Sequence, residues 1–521
     1  MSVRLPEIEM TRRELQRKLD NKKSQSERNR LGQFATPPAL AQDILDYAKT
    51  LTPKRGRVSF LDPALGTGAF YSAFLRSYPA NRRGDAMGFE IDLDFARGAK
   101  KLWGRSGLTV KASDFTTQSG QPKFGLVICN PPYVRHHHIG EAKARLQTET
   151  AKACGFPISG LAGLYTYFIG LSHSWLAKRA ISGWLVPSEF MDVNYGRELK
   201  NYLLHRVTLL RIHRFDPNEA QFEDAIVSSA VVWFRNEARP QGHAVEFTYG
   251  GTLLNPLVRR VVAESNLEQE TKWTRFPNQQ TRARTNETKL SDYFKISRGL
   301  ATGSNAYFIL PERVLRERNL PLECFKPILP SSRYIPDDEI TADDQGVPYL
   351  DRRLFILDTM LSEDEIASRY PSLIKYLEEG KRHDLHKGYL CSHRKPWYAQ
   401  EKRAPAPIVC TYLGRSNKKS GRPFRFILNN SQATVANVYL AMYPTAGLAR
   451  AISSQPTIIR EIWRALNQIS SDTLLAEGRV YGGGLHKLEP RELSNVPVPE
   501  IARLVPVPDF QRDLFMATAA E

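Results

Sequence analysis

The sequence predicts an α/β protein, a mostly parallel β-sheet covered by helices on both faces, followed by a second, mixed α/β domain. Three observations predict it. From Val58 to Phe234, apolar runs of strand length alternate with helical stretches. Those runs are continuously apolar, the pattern of strands buried on both faces. Near residue 245 the character changes, and from Leu290 the apolar runs shorten while Pro, Gly and Tyr become frequent. At about 150 residues per domain, 521 residues allow two to four domains. We divide the chain into an N-terminal helical extension (1–30), a first α/β domain (31–245), a linker (246–290) and a second domain (291–521).

Residues 7–30 are polar and helix-prone, with Leu15 and Leu19 four apart, so a mostly exposed amphipathic helix is expected there. Gly32 to Pro38 breaks it. Strands are expected at Val58–Leu61, Ala86–Glu90, Leu108–Lys111, Gly125–Cys129, Ala180–Pro187, Val207–Phe215 and Ile226–Arg235. Helices are expected at Gly68–Ser77, Leu93–Trp103, Tyr165–Leu176 and Gly196–Leu204. The polar stretch 265–290 reads as a linker or peripheral segment.

Lys and Arg number 73 against 55 Asp and Glu, a formal charge of +18. A protein that basic usually meets a polyanion. The charge is concentrated: residues 381–425 hold twelve Lys/Arg against Asp384 and Glu401, with Trp397, Tyr398, Tyr412 and Phe424 interleaved. Basic residues track a phosphate backbone and aromatics contact sugars or bases, so this segment is expected to meet nucleic acid. The five cysteines are scattered and form no CxxC, the usage of a reducing cytoplasm. The N-terminus is charged from Arg4 and has no apolar run, so no secretory signal is expected, and no stretch suits a membrane span. His136, His137 and His138 are consecutive and cannot all face one ion. His383, His386, Cys391 and His393 match no common zinc spacing, so no metal is expected.

Four strand ends carry chemistry. In Phe60–Phe70, an apolar strand ends in Asp62 and turns through Gly66 and Gly68 into a helix, which lets the backbone approach a ligand. This is neither GxGxxG nor a P-loop, and an ordinary tight turn gives the same pattern. In Gly88–Asp92, Glu90 ends the second strand, where a carboxylate can accept both hydroxyls of a ribose. In Ser113–Phe115, Asp114 can accept an amino proton from an adenine ring and Phe115 can pack on its face. Together these describe a nucleoside site at the carboxyl edge of a parallel sheet. The fourth is the sharpest: Gly125–Cys129 ends in Asn130-Pro131-Pro132-Tyr133. The prolines fix the backbone and remove two donors. The Asn130 oxygen and the Pro131 carbonyl can both accept from one exocyclic NH₂, and Tyr133 offers a stacking surface, which suits a planar amino-heterocycle.

These residues resemble the S-adenosylmethionine-dependent DNA amino-methyltransferases of bacterial restriction–modification systems, most closely the TaqI-like gamma class of adenine-N6 enzymes. The ordered motifs carrying the resemblance are Gly32–Pro38, Phe60–Phe70, Gly88–Asp92, Ser113–Phe115, Asn130–Ile139, Leu164–Phe168 and Gln221–Phe234, with weaker likeness at Arg298–Ile309 and Tyr481–Leu493. The resemblance implies a Rossmann-like methyltransferase sheet and a second, target-recognition domain. S-adenosyl-L-methionine is then the cofactor and double-stranded DNA the partner, the enzyme a monomer, and any cognate restriction endonuclease a separate protein. It implies Phe34 and Thr36 as N-terminal cofactor contacts, and Asp62, Gly66 and Gly68 as the methionine-end loop. Glu90 is then the ribose acceptor, Ile91 lies beside the adenine ring, and Asp114 and Phe115 contact that adenine. Asn130, Pro131, Pro132 and Tyr133 form the catalytic motif. Phe222 stands where the family places a second aromatic against a flipped base, though here the sequence departs furthest from the family pattern. The expected reaction is methyl transfer to adenine N6 in duplex DNA by base flipping. Cytosine-N4 methylation, and amino-methylation of RNA or protein, stand as alternatives. A non-enzymatic DNA-binding subunit is disfavoured by the intact motifs.

Overall fold

The computed structural model describes residues 5–216, 228–276, 288–415, 422–481 and 485–506. These fall into two units that meet in sequence between 276 and 288. The first is built on nine strands: β1 (Val58–Asp62), β2 (Arg83–Glu90), β3 (Leu108–Ala112), β4 (Phe124–Cys129), β5 (Leu176–Pro187), β6 (Thr208–Arg214), β7 (Ser229–Arg235), β8 (Ala244–Gly251) and β9 (Pro256–Ala263). They form one sheet in the order β3-β2-β1-β4-β5-β7-β6-β8-β9. The strands from β3 to β5 pair in parallel, β7 lies antiparallel between β5 and β6, and β8 pairs in parallel with β6 and antiparallel with β9. The expected mostly parallel sheet is present, with one reversed strand inside it.

Strand alternation sorts the side chains into two cores. Phe60, Leu126 and Ile128 face one side, where helices α3 (Pro38–Leu51), α4 (Ala69–Ser77) and α5 (Leu93–Trp103) contribute Ile44, Phe74 and Trp103. Leu61, Val127 and Cys129 face the other, against α6 (Ala142–Cys154), α7 (Leu164–Ser172) and α8 (Arg197–His205). Both faces are therefore dry, which is why β4, Phe-Gly-Leu-Val-Ile-Cys, has no polar side chain.

Two boundaries differ from the sequence reading. The stretch from 246, expected to begin a linker, is part of the sheet: β8, β9 and the helix Glu264–Gln269 occupy it. The reason is edge position, since β9 exposes Leu257, Arg259 and Val261 and so lacks the continuous apolar signature of the inner strands. The N-terminal segment is mostly exposed, as expected, but is two helices, α1 (Leu5–Asp20) and α2 (Gln25–Leu31). It buries Glu9, Arg12 and Leu19. Arg12 and Glu9 form an ion pair at 2.7 Å. Arg12 donates to Thr67 Oγ1 at 3.0 Å, and Glu9 accepts from Ser72 Oγ at 2.6 Å. The helix is thereby pinned to the turn that opens α4.

The second unit is mixed α/β, as expected. A five-stranded sheet runs in the order Phe294–Arg298, Tyr439–Pro444, Ile408–Thr411, Phe426–Asn429, Glu339–Ile340. The helix Ile458–Gln468 buries Ile458, Ile462 and Leu466 in the same core as Ile408 and Phe426. A four-stranded sheet is made of Ile309–Pro311, Leu354–Leu357, Phe325–Leu329 and Thr434–Val435. Among the described residues no helix is long and apolar enough to cross a membrane.

The basic segment is corrected in one respect. Tyr398, Tyr412 and Phe424 are 0%, 4% and 2% exposed and belong to cores, so they are not open to bases. Several cations are also occupied: Lys381 pairs with Glu363 at 2.5 Å and Arg425 with Asp338 at 2.6 Å, and Arg394 donates to the carbonyls of Ala301 and Thr302. Arg382, Lys395 and Lys402 are exposed and form no ion pair among the described residues.

Candidate active site

Parallel pairing places the carboxyl ends of β1, β2, β4 and β5 on one edge of the sheet, with Asp62 opposite Gly88 and Cys129 opposite Trp184 in register. The residues that follow these ends are brought together there.

Asn130 leaves β4 into the two prolines. Its Nδ2 donates to the Phe34 carbonyl at 3.0 Å and to Thr36 Oγ1 at 3.1 Å. Its Oδ1 is sealed from solvent and has no hydrogen-bond partner. The two acceptors of the Gly32–Pro38 segment thus fix the amide so that only an acceptor is left unpartnered. The same segment sits against Tyr133, whose N–H donates to the Gly32 carbonyl at 3.2 Å. Gly32 has φ +66, and a Cβ there would lie 2.4 Å from the Tyr133 nitrogen, so no other residue fits. The Phe34 ring lies 5.5 Å from the Tyr133 ring, and the Tyr133 hydroxyl donates to the Leu185 carbonyl on β5 at 3.0 Å. Burial holds that phenol well above its ordinary pKa, so it stays a neutral donor. Phe34 and Thr36, expected as cofactor contacts, therefore carry a role toward Asn130 that the sequence did not disclose. Gly32 was read as the break after the N-terminal helix and the start of the first motif, but its close approach to Tyr133 was not foreseen.

The acidic end is built from β1 and β2. Asp62 is 1% exposed; its Oδ1 accepts from the Ala64 N–H at 3.1 Å and its Oδ2 has no partner. Burial, with the charge of Glu90 adding, pushes its pKa up to about 8. Glu90 accepts from the Gly66 N–H and the Asp92 N–H, each at 2.8 Å, and burial raises its pKa too. It therefore ties the glycine loop to the end of β2. Gly66 has φ +56 with open space where a Cβ would stand. Gly68 is different: a Cβ there would lie 2.5 Å from Trp103 Nε1, so this glycine serves helix packing. Ile91 is 66% exposed beside this acid, and Asp92 caps α5 and pairs with Lys23 at 2.6 Å.

After β3, Asp114 Oδ1 accepts from the Thr116 N–H at 2.8 Å. Phe115 is 2% exposed and lies in an aromatic cluster with Phe89 at 5.4 Å and Phe168 at 5.4 Å, so its ring face is spent in the core. Phe222 lies outside the described residues, as do Lys418 and Lys419, two of the twelve cations of the basic segment. Among the described residues, no three His, Cys, Asp or Glu side chains are grouped so as to hold a metal ion.

Comparison with known proteins gives two family matches. Residues 84–222 match the Eco57I restriction-modification methylase, and residues 274–514 match the C-terminal domain of Type II methyltransferase M.Eco57I. The Type II methyltransferase M.AccI of Acinetobacter calcoaceticus is 26% identical over 482 residues, 90% of this chain and 85% of that protein. M.XamI of Xanthomonas campestris pv. amaranthicola is 26% identical over 494 residues, 91% of this chain and 86% of that one. Among solved structures, the Type IIL restriction-modification enzyme MmeI, in complex with DNA, has the same fold at a TM-score of 0.54 and 12% identity, over 88% of this chain and 65% of that chain.

Proposed function

We infer that this chain, which belongs to the Type II restriction–modification DNA methyltransferases and takes S-adenosylmethionine as its cofactor, methylates the N6 amine of adenine in duplex DNA. The observation that carries the reading is the Asn130 amide, held at Nδ2 by two acceptors so that a buried, unpartnered Oδ1 is left for a donor.

The residues fit the cofactor. The unpartnered Asp62 oxygen suits its ammonium end, the Glu90 carboxylate its ribose, and exposed Ile91 its adenine face. The space beside Gly66 leaves backbone free to approach it, and Asp114 keeps an oxygen for its amine. When bound, it supplies a methyl group activated on a sulfonium.

The rest is work for the protein. A duplex buries adenine N6, so the base must leave the stack at a cost of a few kcal/mol. Stacking on Tyr133 returns about 1–3 kcal/mol, and the hydroxyl bond to Leu185 keeps that ring from turning with the base. The N6 lone pair is conjugated with the ring and is a poor nucleophile. Asn130 Oδ1 and the Pro131 carbonyl, accepting its two hydrogens, favour a pyramidal nitrogen and stabilise the positive charge it develops. Both acceptors are fixed before the base arrives, so little reorganisation is needed.

The test is direct. Unmethylated duplex DNA incubated with enzyme and methyl-labelled cofactor, then digested to nucleosides, should carry the label as N6-methyladenine. Label in N4-methylcytosine would move the target to the other exocyclic amine. Label in protein or RNA alone would overturn the reading.

A further inference from the structure

Asn130 Oδ1 is not the only polar atom left waiting beside this turn. Tyr165, second residue of α7, is 2% exposed, and its hydroxyl is sealed from solvent with no acceptor for its proton, the Thr166 side chain being the one that hydrogen-bonds toward its oxygen. The start of α7 is tied to the catalytic turn: the Leu164 N–H donates to the Val134 carbonyl at 2.9 Å. A Cβ on Gly163 would lie 2.9 Å from Tyr165 Cε1 and 3.3 Å from the Val134 oxygen. The Tyr165 ring is thereby pressed toward the chain leaving Tyr133. The charged group that acts on its hydroxyl is Glu189, on the turn after β5, and the neutral Tyr133 phenol lies near it. An orphan hydroxyl in a core destabilises the fold, and Phe would fill the same volume without that cost. Such a group is explained by a guest.

We propose that Tyr165 donates its hydroxyl proton to N1 of the target adenine, the ring nitrogen beside the amine that Asn130 receives. This rests on the reading that the flipped base is seated at Asn130. The two residues then read one edge of the base together, an acceptor for the amine and a donor for the adjacent ring nitrogen. A keto base such as thymine presents the reverse order, oxygen and then N–H, and would set acceptor against acceptor and donor against donor. Its rejection follows from the unpaired polar groups it would bury.

The experiment compares wild type and Tyr165→Phe on duplexes with adenine, 1-deazaadenine or 7-deazaadenine at the target position. On adenine, Tyr165→Phe should lower kcat/KM about tenfold or more, with the affinity for S-adenosylmethionine unchanged and Tm unchanged or raised. Wild type should lose a similar factor on 1-deazaadenine, which lacks N1, and the variant should lose nothing further there. On 7-deazaadenine the full effect of the tyrosine should remain. The proposal is overturned if the variant keeps wild-type kcat/KM, if its deficit persists undiminished on 1-deazaadenine, or if Tm falls by several degrees. Wild type that forms no N6-methyladenine on plain adenine overturns the parent reading, and is seen without reference to Tyr165.

Discussion

Asp62 is neutral at neutral pH only because it is buried, and that has a consequence for binding. Its carboxyl is raised to about 8 in the folded protein, so the native state holds a proton that the unfolded chain has lost. Its contribution to stability is full at low pH and declines as pH rises from the ordinary carboxylate range toward about 8. A cation seated on Asp62 requires the carboxylate, so if Asp62 holds the cofactor's ammonium, as proposed, binding would release that proton. Affinity for S-adenosylmethionine should therefore tighten with rising pH, by up to about tenfold per unit, and level off above about 8. Calorimetry in buffers of different ionisation enthalpy measures the proton, and Asp62→Asn should abolish it; a pH-independent affinity in wild type contradicts the assignment. At Glu90, replacement by Ala should weaken cofactor binding by about 1.5–3 kcal/mol, read by the same method on folded variant. Positions were legible where one side chain ends one strand, as at Asp62, Glu90 and Asn130, whose roles are proposals. They were not legible where a role depends on a distant neighbour: Phe115 and Gly68 are claimed by Phe168 and Trp103, and Thr36 by Asn130.

Among elements, inner strands read best. β1, β4, β6 and β7 were visible as apolar runs because both of their faces are covered, and β3 was visible at the other edge although Thr109, Lys111 and Ala112 are exposed. The edge strand β9, exposed on alternate residues, passed for linker. Helix α1 is amphipathic and largely exposed, as read, but the charge on its buried face was not legible. Glu9 and Arg12, three apart, satisfy each other at Thr67 and Ser72, and no hydropathy pattern reports that. The ion pair predicts a test. Arg12→Ala leaves a carboxylate with burial against it and only the Ser72 hydroxyl and the charge of Arg76 for it, which should cost about 3 kcal/mol of stability by urea denaturation. Glu9→Gln in the same chain should restore part of the loss. A change below about 0.5 kcal/mol would show that α1 is not fastened where these bonds place it.

For the whole molecule, a formal charge of +18 calls for a polyanion, and the duplex DNA of the proposed function would answer it. The structure narrows which cations are free to serve, since Lys381 and Arg425 are paired while Arg382 and Lys402 are not. Charge reversal at Arg382 and Lys402 should weaken DNA binding and reduce the slope of log affinity against log salt by about two, one for each phosphate no longer neutralised. Titration at several salt concentrations checks this, and an unchanged slope places those side chains off the DNA. The division into a parallel-sheet unit and a mixed unit was legible from the change in strand character. The sequence that the enzyme recognises was not, because it depends on which second-unit side chains meet base edges. The central claim is the fixed acceptor at Asn130, and single-turnover methyl transfer by Asn130→Ala tests it most directly. The account predicts a rate lower by about 10²–10³ with cofactor affinity nearly intact, because the lost oxygen acts on the amine and not on the donor. A wild-type rate, or an equal loss in cofactor affinity, would contradict it.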